Sequence, residues 1–255
     1  MNVFIAIIAG FLSGWLVNYL ADVLPTSRRL SHPVCAHCGA AFNWQEYFLI
    51  STCRTCKQYR SWRIPVVLLS AIAVSIALLT NYPEKLGYWL SLVLLTYFGV
   101  VLVIDLEHRL ILHVISLVGA ALGLVIGILN NGLPSTLIGG SVGLVAMLVF
   151  YWFGTFFARY RARKLGIDDD EEALGFGDVL LAGVIGLMLG WPQIFRALLI
   201  AILAGGLISV LVILVLSAVR RFQSMNVFIA YGPYLVLGAV LILFFPQAAQ
   251  LLAGR

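Results

Sequence analysis

The sequence predicts an all-α membrane protein of about eight transmembrane helices with a small zinc-binding cytosolic loop. Three observations lead there. The chain is 62% hydrophobic and only 11% charged over 255 residues, whereas soluble domains carry roughly 25% charged residues. Its apolar residues gather in runs near the ~20 residues that cross a bilayer as a helix. All four cysteines fall in one polar gap between two such runs, as a pair of Cys-x2-Cys motifs.

The runs follow in order. The first covers residues 2–24. Met1-Asn2-Val3-Phe4 lacks the basic residues that open a signal peptide, and the run is long enough to span. It therefore reads as a retained helix, not a cleaved signal. Further spans are expected at 64–80, 86–104, 110–129, 133–158, 178–189, 194–219 and 227–245. Helices are expected because a chain in lipid must satisfy its own backbone hydrogen bonds. The turn signals Asn81-Tyr82-Pro83, Asn130-Asn131-Gly132 and Gly190-Trp191-Pro192 separate spans on one side of the membrane.

The other side receives 25–63, 105–109, 159–177 and 220–226. These loops hold Arg28, Arg29, Arg54, Lys57, Arg60, Arg63, Arg109, Arg159, Arg161, Arg163, Lys164, Arg220 and Arg221, which is 13 of the 16 basic residues. The positive-inside rule makes them cytosolic and places both termini outside. The net charge of +5 is then a record of orientation, and nucleic acid is not expected as a partner. Glycines repeat every four residues at Gly119, Gly123 and Gly127, at Gly139 and Gly143, and at Gly186 and Gly190. That spacing lets membrane helices approach closely. The hexamer at Met1 recurs at Met225 without extending further and is read as chance.

In the first cytosolic loop, Cys35-Ala36-His37-Cys38 precedes Cys53-Arg54-Thr55-Cys56 by 14 intervening residues. Two such knuckles can close a tetrahedral zinc site through four thiolates, and Gly39 stands where the first knuckle turns. The loop reads as short, polar and poor in core, so the metal would supply folding free energy. A redox dithiol pair is the alternative, disulfides being disfavoured in the cytosol. His32 and His37 are spare donors.

Two carboxylates stand at span ends. Asp105 closes the third run and Asp178 opens the sixth. Ionisable groups at membrane depth are costly and point to function. Gly175-Phe176-Gly177 leads into Asp178 and allows an extended strand to come close. Taken singly, Asp178 would serve as a helix N-cap and Asp105 as an acid snorkelling from a helix end. Taken together, on the cytosolic side, they suit a dyad: two carboxylates held close share a proton and can activate water. Glu107 is expected at the water interface, Asp22 near the cytosolic end of the first helix, and 168–172 on a solvated acidic face. His108 and His113 have no nucleophile partner in the sequence.

These residues resemble the type IV prepilin peptidase family over almost the whole chain. Gly175-Phe176-Gly177-Asp178 is similar to its Gly-x-Gly-Asp motif, and Val103-Ile104-Asp105-Leu106-Glu107 to the segment with its first catalytic aspartate. Tyr231-Gly232-Pro233-Tyr234-Leu235 is similar to a Phe-Gly-Pro stretch in its last helix. The opening helix and the paired cysteine knuckles also match. The resemblance implies a GxGD-type aspartyl protease of the bacterial inner membrane. Such enzymes cut basic leaders from prepilin or pseudopilin precursors, in type IV pilus or type II secretion systems. Many also methylate the new N-terminus with S-adenosylmethionine. The peptidase role maps onto Asp105 and Asp178, with Gly175, Phe176, Gly177, Tyr231, Gly232 and Pro233 around the substrate and Cys35, Cys38, Cys53 and Cys56 on zinc. The chain departs at Val67, where many members carry glutamate, and at Leu110-Ile111-Leu112-His113, where Leu-Pro-Asp is common.

The expected organisation is 1–81, with the cysteine loop at 25–63, followed by a six-helix peptidase core at 82–255. A membrane transporter, or a non-catalytic pilin-assembly factor with a zinc-ordered loop, is the competing reading.

Overall fold

A computed structural model describes residues 2–35, 37–48, 52–165, 175–218 and 231–245. The acidic run at 168–172, the basic stretch at 220–226, the second copy of the hexamer and residues 227–230 lie outside the described residues. Among those described, the helices are α1 (Val3–Ser27), α2 (Trp44–Phe48), α3 (Arg63–Ala77), α4 (Gly87–His108), α5 (His113–Asn131), α6 (Leu133–Leu165), α7 (Phe176–Leu189), α8 (Gln193–Ala218) and α9 (Gly232–Phe244).

Among the described residues, five stretches are long and apolar enough to cross a membrane: α1, α4, α5, Leu133–Phe157 of α6 and Gln193–Val215 of α8. The helices α3, α7 and α9 are apolar but shorter, at 15, 14 and 13 residues. At 1.5 Å per residue each reaches only about 20 Å of a hydrocarbon core ~30 Å thick. The helices expose large apolar side chains freely. Leu203, Leu207, Ile213 and Leu214 of α8 are each more than half exposed, a surface that suits lipid. The protein is an all-α, multi-pass membrane protein.

The chain forms two compact units, Met1–His108 and Arg109–Arg255. In the first, α1 packs against both α3 and α4. Its contact with α3 depends on two glycines: a Cβ at Gly10 would stand 2.7 Å from the Ile72 Cα, and one at Gly14 3.0 Å from the Leu68 Cα. Hydroxyl groups add ties that apolar lipid cannot compete for. Ser75 Oγ donates to the Ala6 carbonyl at 2.6 Å and meets the Tyr88 hydroxyl at 2.6 Å, and Ser13 and Thr96 meet at 2.7 Å.

In the second unit α7 packs against α5, α6, α8 and α9. Here the glycine repeats act as expected. A Cβ at Gly186 would fall 2.2 Å from the Gly139 carbonyl oxygen, and one at Gly143 2.4 Å from that of Ala182. Hydrogen there lets α6 and α7 meet backbone to backbone. Gly127 meets the Leu187 carbonyl of α7 in the same way from α5.

Candidate functional site

The cysteine loop is built from two matching turns. In the first, the Cys35 amide donates to the Ala40 carbonyl at 2.8 Å and the Gly39 amide to the Cys35 carbonyl at 2.8 Å. In the second, the Cys53 amide donates to the Gln58 carbonyl at 3.2 Å and the Lys57 amide to the Cys53 carbonyl at 2.8 Å. Each turn needs a residue with positive φ four places after its first cysteine. Gly39 (φ 71°) fills that place freely, and Lys57 (φ 54°) fills it under constraint. Sequence reasoning found Gly39 and missed Lys57, although aligning the two knuckles puts them in register.

These turns bring the four Sγ atoms within 4.8 Å of one another. Cys35 and Cys56 are 3.7 Å apart, and Cys38 and Cys53 are 3.6 Å apart. Four thiolates at the usual Zn–S distance of ~2.3 Å, arranged tetrahedrally, would be separated by about 3.8 Å. The spacing and the all-sulfur donor set therefore fit a closed tetrahedral metal site, and His32 and His37 are not needed. The turns also prepare the charge. Amide N–H groups of Cys56 and Thr55 pull the Cys53 thiol down to about 6, and those of Cys38 and His37 lower Cys35. At Cys38 the Ala40 amide pulls down, but burial and the neighbouring cysteines outweigh it and push the thiol up to about 12.

The expectation of a loop poor in core needs correction. Phe42, Tyr47, Cys35 and Cys53 form a buried cluster with Trp15 and Tyr19 of α1 packed against it. Trp15 stacks on Phe48 at 4.1 Å between ring centroids and meets Tyr47 edge-on at 5.8 Å. Trp15, Tyr19 and Asp22 lie at i, i+4 and i+7, one face of a helix; that spacing is the signal that could have found the contact. The Tyr47 hydroxyl donates to Asp22 at 2.6 Å. Burial, and then the Asp22 carboxylate, hold that phenol protonated far above its usual range. Arg60 donates to Asp22 at 3.0 Å and to the Tyr47 carbonyl at 3.1 Å, with its guanidinium 4.0 Å from the Tyr47 ring centroid. Asp22 is thus a hub for the loop and not simply a helix-end acid.

Among the described residues only two carboxylates are buried: Asp105, 4% exposed, and Asp178, 8% exposed. Asp105 lies in the last turn of α4, in the first unit, and Asp178 in the first turn of α7, in the second. Two simple alternatives fall away. Asp105 does not snorkel outward. Asp178 is not an N-cap, because α7 begins at Phe176 and Gly175 holds the capping place. Asp178 sits inside the helix, its carboxylate 3.6 Å from where a Cβ on Gly175 would be. Gly177 lets α7 start against Ile111, whose Cβ would be 2.7 Å from an added methyl. Between the glycines Phe176 is half exposed, its ring edge-on to Tyr151 at 5.9 Å. Tyr231 lies within electrostatic reach of Asp178, and Gly232 and Pro233 open α9 beside it. The second unit therefore gathers Gly175, Phe176, Gly177, Asp178 and Tyr231 at one place. Glu107 pairs with Arg63 and is not a free interfacial acid.

Residues 89–210 match the model of the type IV leader peptidase family, a segment that contains both buried aspartates. Over that segment, a little under half of the chain, the protein is similar to the type IV leader peptidase family. Relatives cover most of its length. A prepilin leader peptidase/N-methyltransferase of Pectobacterium carotovorum subsp. carotovorum is 26% identical over 217 residues, 81% of this chain and 71% of the relative. One from Aeromonas salmonicida (strain A449) is 29% identical over 82% of this chain and 67% of its own. One from Burkholderia pseudomallei (strain 1026b) is 25% identical over 91% and 74%. No solved structure matches at a significant level. Among the described residues, the two buried carboxylates and the four-thiolate cluster are the chemistry-bearing features.

Proposed function

We propose that the protein removes leader peptides from prepilin or pseudopilin precursors at the cytosolic face of the bacterial inner membrane, with Asp105 and Asp178 as the catalytic pair. The observation that carries this is their burial. An ionised carboxylate is expensive to bury, and both are kept in the end turns of membrane helices, one of them behind a Gly-x-Gly entry. In the proposed reaction one carboxylate is ionised and the other protonated. The ionised one takes a proton from water, whose oxygen bonds to the scissile carbonyl carbon. The protonated one donates to the carbonyl oxygen, and the C–N bond then breaks as a proton passes to the leaving amine. Gly175 adds no side chain beside the Asp178 carboxylate and Gly177 seats the start of α7 on Ile111, while Phe176 and Tyr231 would flank the substrate. The peptidase portion is 82–255.

Cys35, Cys38, Cys53 and Cys56 would hold one structural zinc. Four thiolates close the coordination shell, so the metal would serve as a fold-stabilising crosslink with no open position for water. S-adenosylmethionine is a different matter. A cleft of roughly 410 Å³ in the first unit is walled by α3 and α4 over a floor from α1. Its lining is mostly apolar, and most of its polar groups are engaged: Ser13 with Thr96, Ser70 with the Val67 carbonyl, and Arg63 Nη1 with Glu107, leaving only Arg63 Nε buried without a partner. This cleft does not fit a charged, polar methyl donor, and no methyl-transfer step is assigned to it.

A transporter would need polar groups committed to a pathway at mid-span. The buried Ser91, Ser116 and Thr136 instead bond the carbonyl four residues earlier in the chain. The test is processing of a co-expressed prepilin, followed by its mobility shift on a gel. Asp105→Asn and Asp178→Asn should each leave the precursor uncut while inserting at wild-type levels. Normal processing by either variant would remove that residue from the pair.

A further inference from the structure

We propose that Arg63 is a positioning residue that fixes the Asp105-bearing end of α4; this rests on the peptidase reading of Asp105. The guanidinium stands at the start of α3 and forks to two helices. Nη1 donates to Glu107 of α4, and Nη2 donates to Asp22 of α1. The other oxygen of Asp22 is held by Tyr47 at 2.6 Å and Arg60 at 3.0 Å. Two arginines and two carboxylates thus form one balanced network, with the side chains of Arg60 and Arg63 only 9% and 13% exposed.

Three features make this network more than a surface tie. The first is the cleft described above, lined by Val67, Ser70 and Ala71 on one wall and by Gly99 and Val103 on the other. The walls leave a gap instead of interlocking, and the Arg63–Glu107 pair bridges it. The second is the helix dipole. The last turn of α4 carries Asp105 and Glu107, and carboxylates are disfavoured at the negative end of a helix unless a cation answers them. Arg63 supplies that cation to Glu107. The third is phase. Residues two apart lie about 200° apart around a helix, so a side chain holding Glu107 approaches α4 from the face away from Asp105. Through Glu107 and Asp22, Arg63 sets the rotation and tilt of the turn that carries Asp105. Planar, forked donation to two carboxylates is an arginine property that lysine cannot reproduce.

The experiment uses the full chain in detergent or liposomes. Cleavage of a prepilin peptide, zinc content and amide hydrogen exchange over residues 103–108 are measured for wild type, Arg63→Gln, Arg63→Lys and Glu107→Gln. Misplacing a catalytic group by an ångström can cost on the order of 100-fold. Arg63→Gln and Glu107→Gln should therefore lower kcat per folded enzyme by about 10- to 100-fold, leave KM within about twofold, keep zinc bound and speed exchange in 103–108. Arg63→Lys should fall between wild type and Arg63→Gln. The double variant Arg63→Gln/Glu107→Gln should be no slower than the worse single, because both remove the same strut. Should Arg63→Gln fail to fold, Glu107→Gln alone gives the same readouts. Unchanged exchange in Glu107→Gln, or unchanged kcat in an active enzyme, would overturn the proposal. Altered exchange in a chain that never cleaves prepilin would leave the strut standing and defeat the peptidase reading instead.

Discussion

In the cysteine loop the backbone is held by what its side chains reach: four thiolates, a stack of rings on Trp15, and the carboxylate of Asp22. In the α5–α6–α7 layer it is held by what the side chains lack. Gly127, Gly139, Gly143 and Gly186 put backbone against backbone at distances where a single methyl would collide. The difference follows from solvent. The loop is short, its one small aromatic cluster leans on α1, and a metal crosslink suits it. The buried layer gains nothing from apolar area alone, since lipid tails are as apolar as leucine, and relies on close approach. The two regions should therefore fail in different ways.

The largest expected effect is in the loop. Apparent binding energies of structural zinc are about 10–16 kcal/mol at neutral pH. Metal analysis of purified protein should find about one zinc per chain. Cys53→Ser should lose it and open residues 28–63 to limited proteolysis, while the helix content of the membrane spans holds. Spans that melt together with the loop would show the regions to be less independent than drawn here. The pH dependence sharpens this. Thiolates bind metal and thiols do not, so affinity falls as each thiol gains its proton. Cys53 titrates at about 6 and enters the site already ionised at pH 7.5, whereas Cys38, pushed to about 12, must release its proton on binding. Calorimetry in buffers of different ionisation enthalpy should find protons released on zinc binding at pH 7.5, with Cys38 and Cys56, both raised, among their sources. Zinc retention should weaken further as pH falls through about 6.

A smaller effect separates two glycines in the membrane. Gly186→Ala places a Cβ 2.2 Å from the Gly139 carbonyl oxygen, whereas Gly206→Ala meets nothing within 4 Å. Overpacking costs typically 1–3 kcal/mol, so Gly186→Ala should lower the thermal midpoint in detergent. Gly206→Ala should match or slightly exceed wild type, since alanine is favoured over glycine within a helix by roughly 0.5–1 kcal/mol. Equal midpoints would contradict the packing account. The smallest effect belongs to Arg54, 80% exposed and paired with Glu46. Exposed pairs contribute about 1 kcal/mol or less, so Arg54→Gln should leave zinc content, stability and cleavage unchanged.

Much of this was legible beforehand because the governing signals are local. Hydropathy places helices from Val3 to Phe244, and the glycine spacing marks the layer that meets face to face. Cys-x2-Cys spacing marks the cluster, because a knuckle is a turn of a few residues. What was missed depends on partners distant in sequence. Trp15 and Tyr19 look like ordinary apolar residues of a membrane helix until Phe42, Trp44 and Tyr47 fold back onto them. Asp22 and Glu107 look like solvated acids until Arg60, from the loop, and Arg63, from the start of α3, reach them. Asp178 resembles an N-cap in a linear reading, because only backbone geometry shows that the helix begins two residues earlier, at Phe176. The aspartate pairing itself is chemistry that periodicity does not reveal; the burial of both carboxylates is what argues for it.

The most direct test is the rate at which purified, zinc-loaded protein in liposomes releases the leader from a synthetic prepilin peptide, compared with Asp105→Asn and Asp178→Asn carrying the same zinc. The account predicts cleavage by wild type and none by either variant. Undiminished cleavage by a variant, or an inert wild type under conditions where a relative cleaves, would contradict it.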